Sequence, residues 1–162
     1  MVALAVTEST QYANMIATPK VALSPFEQHG RLRIASFDWA NGLVAGDAGG
    51  VISILKLPAG RVKIFGHLSS IYHNMTTGSN TILIGWAAYT GIDGVAVAAD
   101  PNGLDNAISV ETAGTIRVAT VLVANANMKL FESQEGVVIT VTSVGIVAAS
   151  DVLEGYIAYV LD

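Results

Sequence analysis

The chain of 162 residues contains no cysteine. A disulfide framework, a thiolate metal site and a cysteine nucleophile are therefore excluded, and a reducing compartment fits. Charge is scarce too. Asp, Glu, Lys and Arg make up 13% of the residues, against roughly 25% in an average soluble protein. The net charge is −5, and the eight Lys and Arg are scattered along the chain. A nucleic-acid partner needs a clustered basic surface, so none is expected. No apolar run reaches the roughly 20 residues of a spanning helix, and no membrane partner is expected either. The opening "MVALAVTEST" has no basic n-region and is too short for a hydrophobic region plus cleavage site. The mature chain is expected to begin near Met1.

Catalytic signatures are missing as well. There is no G-x-S-x-G elbow, no G-x-G-x-x-G and no Walker loop. No pair of carboxylates is recognisably spaced for acid–base work, although such pairs can come from distant segments. A non-enzymatic role without a cofactor is the expectation.

What is present is apolarity. Hydrophobic residues make up 52% of the chain, and Ser, Thr, Asn and Gly supply much of the polar remainder. So little charge for so many apolar side chains implies that part of the surface is covered in the working state, by an obligate oligomer or a larger assembly. The length suits one domain with a sound core.

Residues 1–30 show no sustained period, and Pro19 and Pro25 interrupt helix and ladder alike. They read as an extended N-terminal arm. Tyr12, Met15, Ile16, Val21, Leu23 and Phe26 are too apolar for a solvated tail, so the arm is expected to pack against something, another subunit included. From Arg31 to Asp162 the chain reads as all-β. "RLRIASF" alternates, with Leu32 and Ile34 on one face and Arg31 and Arg33 on the other. Further runs, "VISILKL", "RVKIFGHLSSIY", "TILIGWAAY", "TIRVATVLV", "NMKLFES", "VVITVTSV" and "GYIAYVL", are bounded by Gly, Asn, Asp or Ser. Seven or eight short strands at this spacing indicate an antiparallel sandwich or a barrel. Several, such as "TILIGWAA" and "VVITV", are apolar on both faces, where one face of an antiparallel sheet normally meets water. Only "GLDNAIS" invites a helical turn.

His67 and His73 fall in "RVKIFGHLSSIYH". If residues 62–72 form one strand, both share the more polar parity with Lys63 and Ser69, and they stand about 20 Å apart at roughly 3.3 Å per residue. They cannot share a metal, and they read as surface or interface residues. His29 lies in the arm. Ser69 and Ser70, on that same strand, make no triad with either histidine. Residues 90–106 form the longest irregular stretch. Asp93, Asp100, Asn102 and Asp105 there offer oxygen ligands, and their D-x-N-G-x-D part resembles a calcium loop. The closing bidentate Glu is missing, however, and Asn102-Gly103 reads first as a turn. Trp86 shares parity with Ile82 and Ile84 and is expected in the core. Tyr156 and Tyr159 differ in parity, so one of them faces outward. The sequon Asn74-Met75-Thr76 carries weight only in a secreted chain.

From Gly49 onward, the order of "LKLPAGRVKIF", "ILIGWAAYTGIDGVAVAADPNGL", "FESQEGVVITVTSVG" and the closing "LEGYIAYVLD" resembles a group of tailed-phage virion proteins that includes jelly-roll capsid decoration, or cement, proteins. The resemblance implies a jelly-roll-like antiparallel β-sandwich that forms a homotrimer on the capsid exterior. There it would bind the major capsid protein, bridge capsomers and resist internal DNA pressure, after assembly in the host cytoplasm. The arm lies largely outside the matched region. On this reading Tyr12, Met15, Ile16, Leu23 and Phe26 are the apolar anchors, with Arg31 and Arg33 pairing with acidic capsid residues at the rim. A tail, baseplate or head-fibre module that binds host glycans shares the same fold signals. A small cupin-like enzyme would need the clustered histidines and carboxylates that strand geometry disfavours here.

Overall fold

The computed structural model describes residues 17–19, 31–41, 48–75, 80–118 and 127–161. These residues form β1 (Arg33–Ala40), β2 (Val51–Leu57), β3 (Gly60–Phe65), β4 (Ser70–His73), β5 (Thr81–Trp86), β6 (Tyr89–Thr90), β7 (Ala96–Val97), β8 (Asp100–Ser109), β9 (Gly114–Arg117), β10 (Met128–Ser133), β11 (Val137–Ser143) and β12 (Val152–Leu161). Among the described residues, the one helical element is a 3-10 turn, Gly66–Leu68. The arm expected over residues 1–30, with Tyr12, Met15, Ile16, Leu23, Phe26 and His29, lies outside the described residues apart from 17–19.

β12 pairs with β1 along one edge, from Arg33↔Tyr159 to Ala40↔Val152. Its other edge pairs first with β4 and then with β3. β3 and β4 are thus one long strand interrupted by the 3-10 turn, and β10 and β9 form its antiparallel neighbour. The larger sheet then reads β1, β12, β3–β4, β10–β9, and the smaller reads β2, β11, β5, β8. The chain passes between the sheets from β1 to β2, to β3–β4 and to β5. It then makes the β5–β8 pair, and returns through β9–β10, β11 and β12. This is the eight-stranded, two-sheet path of a jelly roll, and the all-β sandwich expected from the sequence is observed.

The turn between β3 and β4 corrects one expectation. It inserts residues opposite β12, so the alternation restarts: Val62 and Ile64 point inward, and after the turn Ile71 and His73 do so. Gly66 permits the turn because a Cβ there would lie 1.8 Å from the Val118 carbonyl oxygen. Leu68, assigned by parity to the face of Val62, is instead exposed.

The sheets meet across Ile64, Ile71, Phe131 and Ile157 from the larger and Leu57, Ile84, Trp86 and Ile139 from the smaller, all buried. Burying one such side chain contributes about 1.5–3 kcal/mol. At one end, aromatic rings join the layers. Trp86 of β5 meets Phe131 of β10 edge to face with centroids 5.2 Å apart, and Tyr89 meets the same ring at 6.0 Å. Lys129 stands with its Nζ 4.5 Å from the Trp86 ring centre. β10 is the strand at the sheet's edge, and a charged side chain turned between the layers disfavours pairing with a foreign strand.

"DPNGLDN" forms neither the irregular stretch nor the helical turn read from the sequence. It belongs to β8, which shifts register twice against β5, between Ile82 and Ile84 and between Ile84 and Trp86. The surplus residues wrap the indole, so that a Cβ on Gly103 would stand 2.2 Å from a Trp86 ring carbon. Strand propensity and register lost to the space an indole needs. Gly103→Ala should therefore displace Trp86 and lower stability by about 1–3 kcal/mol. Urea unfolding followed by Trp fluorescence measures this.

Candidate interaction surfaces

Among the described residues, eleven large hydrophobic side chains are exposed, and all but Leu130 fall into three patches. The first lies on the outward face of the larger sheet. Phe37 and Trp39 of β1 pack inward, so the opposite parity, with Leu32 and Ile34, faces out, Ile34 at 63% exposure. On the same face the register sets Tyr156 opposite Ser36 and Ser70, and Tyr72 opposite Glu154. Leu68 is carried beside them on the 3-10 turn. Ser69 fixes that turn: its hydroxyl donates to the Phe65 carbonyl at 2.8 Å and accepts from the Ala158 N–H at 3.0 Å. Between turn and sheet lies an open groove of about 570 Å³, lined by His67, Leu68, Ser69, Ser70, Thr115, Arg117 and Tyr156.

The second patch is the tip of the β6–β7 hairpin, inserted between β5 and β8. The Gly91 N–H donates to the Val95 carbonyl at 2.7 Å, and the Val95 N–H donates to Asp93 Oδ1 at 3.0 Å. The hairpin is braced on β10: the Ile92 N–H donates to the Glu132 carbonyl and the Gln134 N–H to that of Thr90. Ile92 and Val95 nevertheless project into solvent, 52% and 61% exposed. A shallow cavity of about 260 Å³ separates the hairpin from Leu130 and Glu132. Burial and the nearby Glu132 carboxylate raise the Tyr89 phenol above its ordinary value.

The third patch, Val51, Val144 and Ile146, sits at the opposite end of the sandwich. Its loops are held by buried amides. Asn80 Nδ2 donates to Ser143 Oγ at 3.0 Å, and Asn80 Oδ1 accepts from the Gly145 N–H at 2.7 Å. The Asn74 side chain, acceptor in the sequon, instead accepts the Val152 N–H through Oδ1 at 2.6 Å.

Of the predicted site residues, Arg31 and Arg33 are exposed next to Leu32 and Ile34, at the start of β1. The histidines separate. His67 is exposed on the 3-10 turn, as read from the sequence, but His73 is buried at 2% exposure and is no surface residue. The parity argument failed because the strand it assumed is broken. The carboxylates of Asp100 and Asp105 accept backbone N–H groups of Asn102 and Asn106. No group of three or more His, Asp or Glu among the described residues is placed to hold a metal. Trp86 is buried as expected, and Tyr156 faces outward while Tyr159 packs on the core. The hairpin patch was missed by sequence reasoning. Its signal was the Asp93-Gly94 turn between short β-prone runs.

No protein-family model matches the chain, and no curated protein does. Solved structures do. A chain of the cyanophage Pam1 capsid asymmetric unit superposes with a TM-score of 0.57 at 14% identity, over 98% of this chain and 100% of that one. A chain in the capsid of Ralstonia phage GP4 gives a TM-score of 0.58 at 21% identity, over 82% of this chain and 86% of that one. At such identities the likeness is one of fold.

Buried His73 gives the domain a pH dependence. Burial lowers its pKa below the ordinary value, and its Nδ1 has no hydrogen-bond partner. In register it faces Leu153 and Gly114, neither of which carries a charge. The unfolded chain binds the proton more readily than the folded one. The stability is therefore fully present above about pH 6.5, the unfolded value, and is lost as the pH falls below it. Unfolding midpoints from pH 8 to 5 should decline, and His73→Leu should remove the part of that decline between about pH 6.5 and 5. An equal decline in both proteins would overturn the assignment to His73.

Proposed function

We propose that the chain is a capsid decoration (cement) protein of a tailed phage, bound to the outer surface of the head and stabilising it by non-covalent contacts. The observation that carries this reading is the end-to-end likeness of fold to a chain of a phage capsid, with 98% of one chain on 100% of the other. A chain matched throughout is of about this length, which suits a separate small component of a capsid. The sparse charge and the three exposed apolar patches support a protein that works while covered.

The partners on this reading are the major capsid protein and two further copies of the chain. In a trimer each modest contact with the head is repeated, so that weak patches act together through their effective concentration. The arm supplies the anchors Tyr12, Met15, Ile16, Leu23 and Phe26, and Arg31 and Arg33 pair with capsid carboxylates at the margin. Such apolar anchors, excluded from water at the centre of a contact, carry most of its energy.

The test is co-sedimentation of the purified protein with heads that lack it, set beside sedimentation with isolated tails. Retention on heads alone is expected, and retention on tails alone would overturn the reading. Removing residues 1–26 should weaken head binding at least about 30-fold, the equivalent of one strong anchor of about 2 kcal/mol. Unchanged binding would remove the arm from the account.

A further inference from the structure

Two of the three patches complement each other. The hairpin tip presents Ile92 and Val95 around the carboxylate of Asp93, with Glu132 and Glu135 exposed nearby on β10 and the turn after it. The groove on the larger sheet presents Leu68 and the ring of Tyr156, 44% and 39% exposed, with Arg117 and His67 at its wall. The tip is apolar with acidic groups, and the groove itself is lined by basic ones, with Glu154 farther along the same sheet face opposite Tyr72, on a chain whose net charge is −5. The described structure shows no ion pair for Asp93 or Arg117, whereas Glu132 is engaged with Arg61 at 2.8 Å.

A single copy cannot join them. The hairpin is bonded to the Glu132–Gln134 end of β10, which lies opposite Gly60 and Arg61. The groove begins beyond Phe65, so the six residues of β3, about 20 Å at 3.3 Å per residue, lie between them. We propose that the hairpin tip of one copy seats in the groove of the next, with Asp93 against Arg117 and Ile92 and Val95 against Leu68 and Tyr156. Such a contact is head-to-tail, joining different patches of identical chains, and it closes into a ring when the rotation between copies allows. With three copies it builds the trimer, and the inference deepens that part of the proposed function and rests on it. Both sides are held before they meet, the tip by its own hydrogen bonds and the turn by Ser69. Little freedom is lost on docking.

The test is the solution mass of the full chain by light scattering at micromolar concentration, for the wild type, Asp93→Arg, Arg117→Asp and the double variant. Both positions are exposed, and thermal unfolding followed by circular dichroism checks that each variant is folded. Asp93→Asn, which keeps an Oδ1 acceptor for the Val95 N–H without the charge, should weaken the trimer too if the pairing and not the shape of the tip is what counts. A trimeric wild type, two monomeric single variants with dissociation constants raised at least 100-fold, and a trimeric double variant are expected. Single variants that stay trimeric overturn the interface and leave the trimer standing. A monomeric wild type overturns both. A double variant that fails to recover overturns the Asp93–Arg117 pairing. Head co-sedimentation of a monomeric single variant separates the cases further: retained binding by one copy shows that capsid recognition lies elsewhere on the surface.

Discussion

β12 is hydrogen-bonded along both edges, to β1 on one side and to β4 and β3 on the other. Over its first half the side chains alternate, with Leu153 and Ile157 in the core and Glu154 and Tyr156 in solvent, and towards the end Ala158 and Val160 are buried as well. A slip of one residue would exchange these faces and misalign three neighbours together. The two parts of the long strand, β3 and β4, can both pair with β12 only because the turn between them takes up the surplus residues. That turn also carries His67 and Leu68 to the outward face and makes a wall of the groove. The pairing that holds the larger sheet together therefore also shapes the groove on its outward face.

The strands were legible where alternation and turn residues agreed. "VISILKL", "TILIGWAAY" and "VVITVTSV" each became a strand, and Trp86 took the inward place that its parity with Ile84 required. Legibility failed where a non-local demand overrode the local pattern. Nothing within residues 62–73 announces that Gly66 must lie against the Val118 carbonyl, yet that contact breaks the strand and sends His73 inward. Likewise "DPNGLDN" looks like a turn, and locally its carboxylates do cap backbone N–H groups. Only the indole of Trp86 on the neighbouring strand explains why these residues bulge within β8. The candidate surface was half legible. Composition showed that apolar area is left over, but its division into three patches depends on which ends of which strands meet.

The apolar surplus has a consistent physical arrangement. The patches lie on rigid parts: a sheet face, a hairpin braced by β10, and loops clamped by Asn80 and Asn74. Surfaces of this kind bind with small ordering costs, and they are hazardous when left open. The inward Lys129 on the edge strand β10 and Pro101 in the edge strand β8 discourage unspecific pairing of strands. Side-chain contacts are left exposed, while the backbone edges at β10 and β8 are protected.

The β1–β12 pair also sets a clock on biosynthesis. Ala40 finds its partner Val152 a full 112 residues later (152 − 40). At roughly 5–20 residues per second, β1 waits roughly 6–20 s on the ribosome with Phe37 and Trp39 uncovered. Contacts so distant in sequence also close slowly once both strands exist. A cell making many copies at once would hold a standing population of half-finished sandwiches, and the demand for chaperones would follow from the place of one strand in the gene.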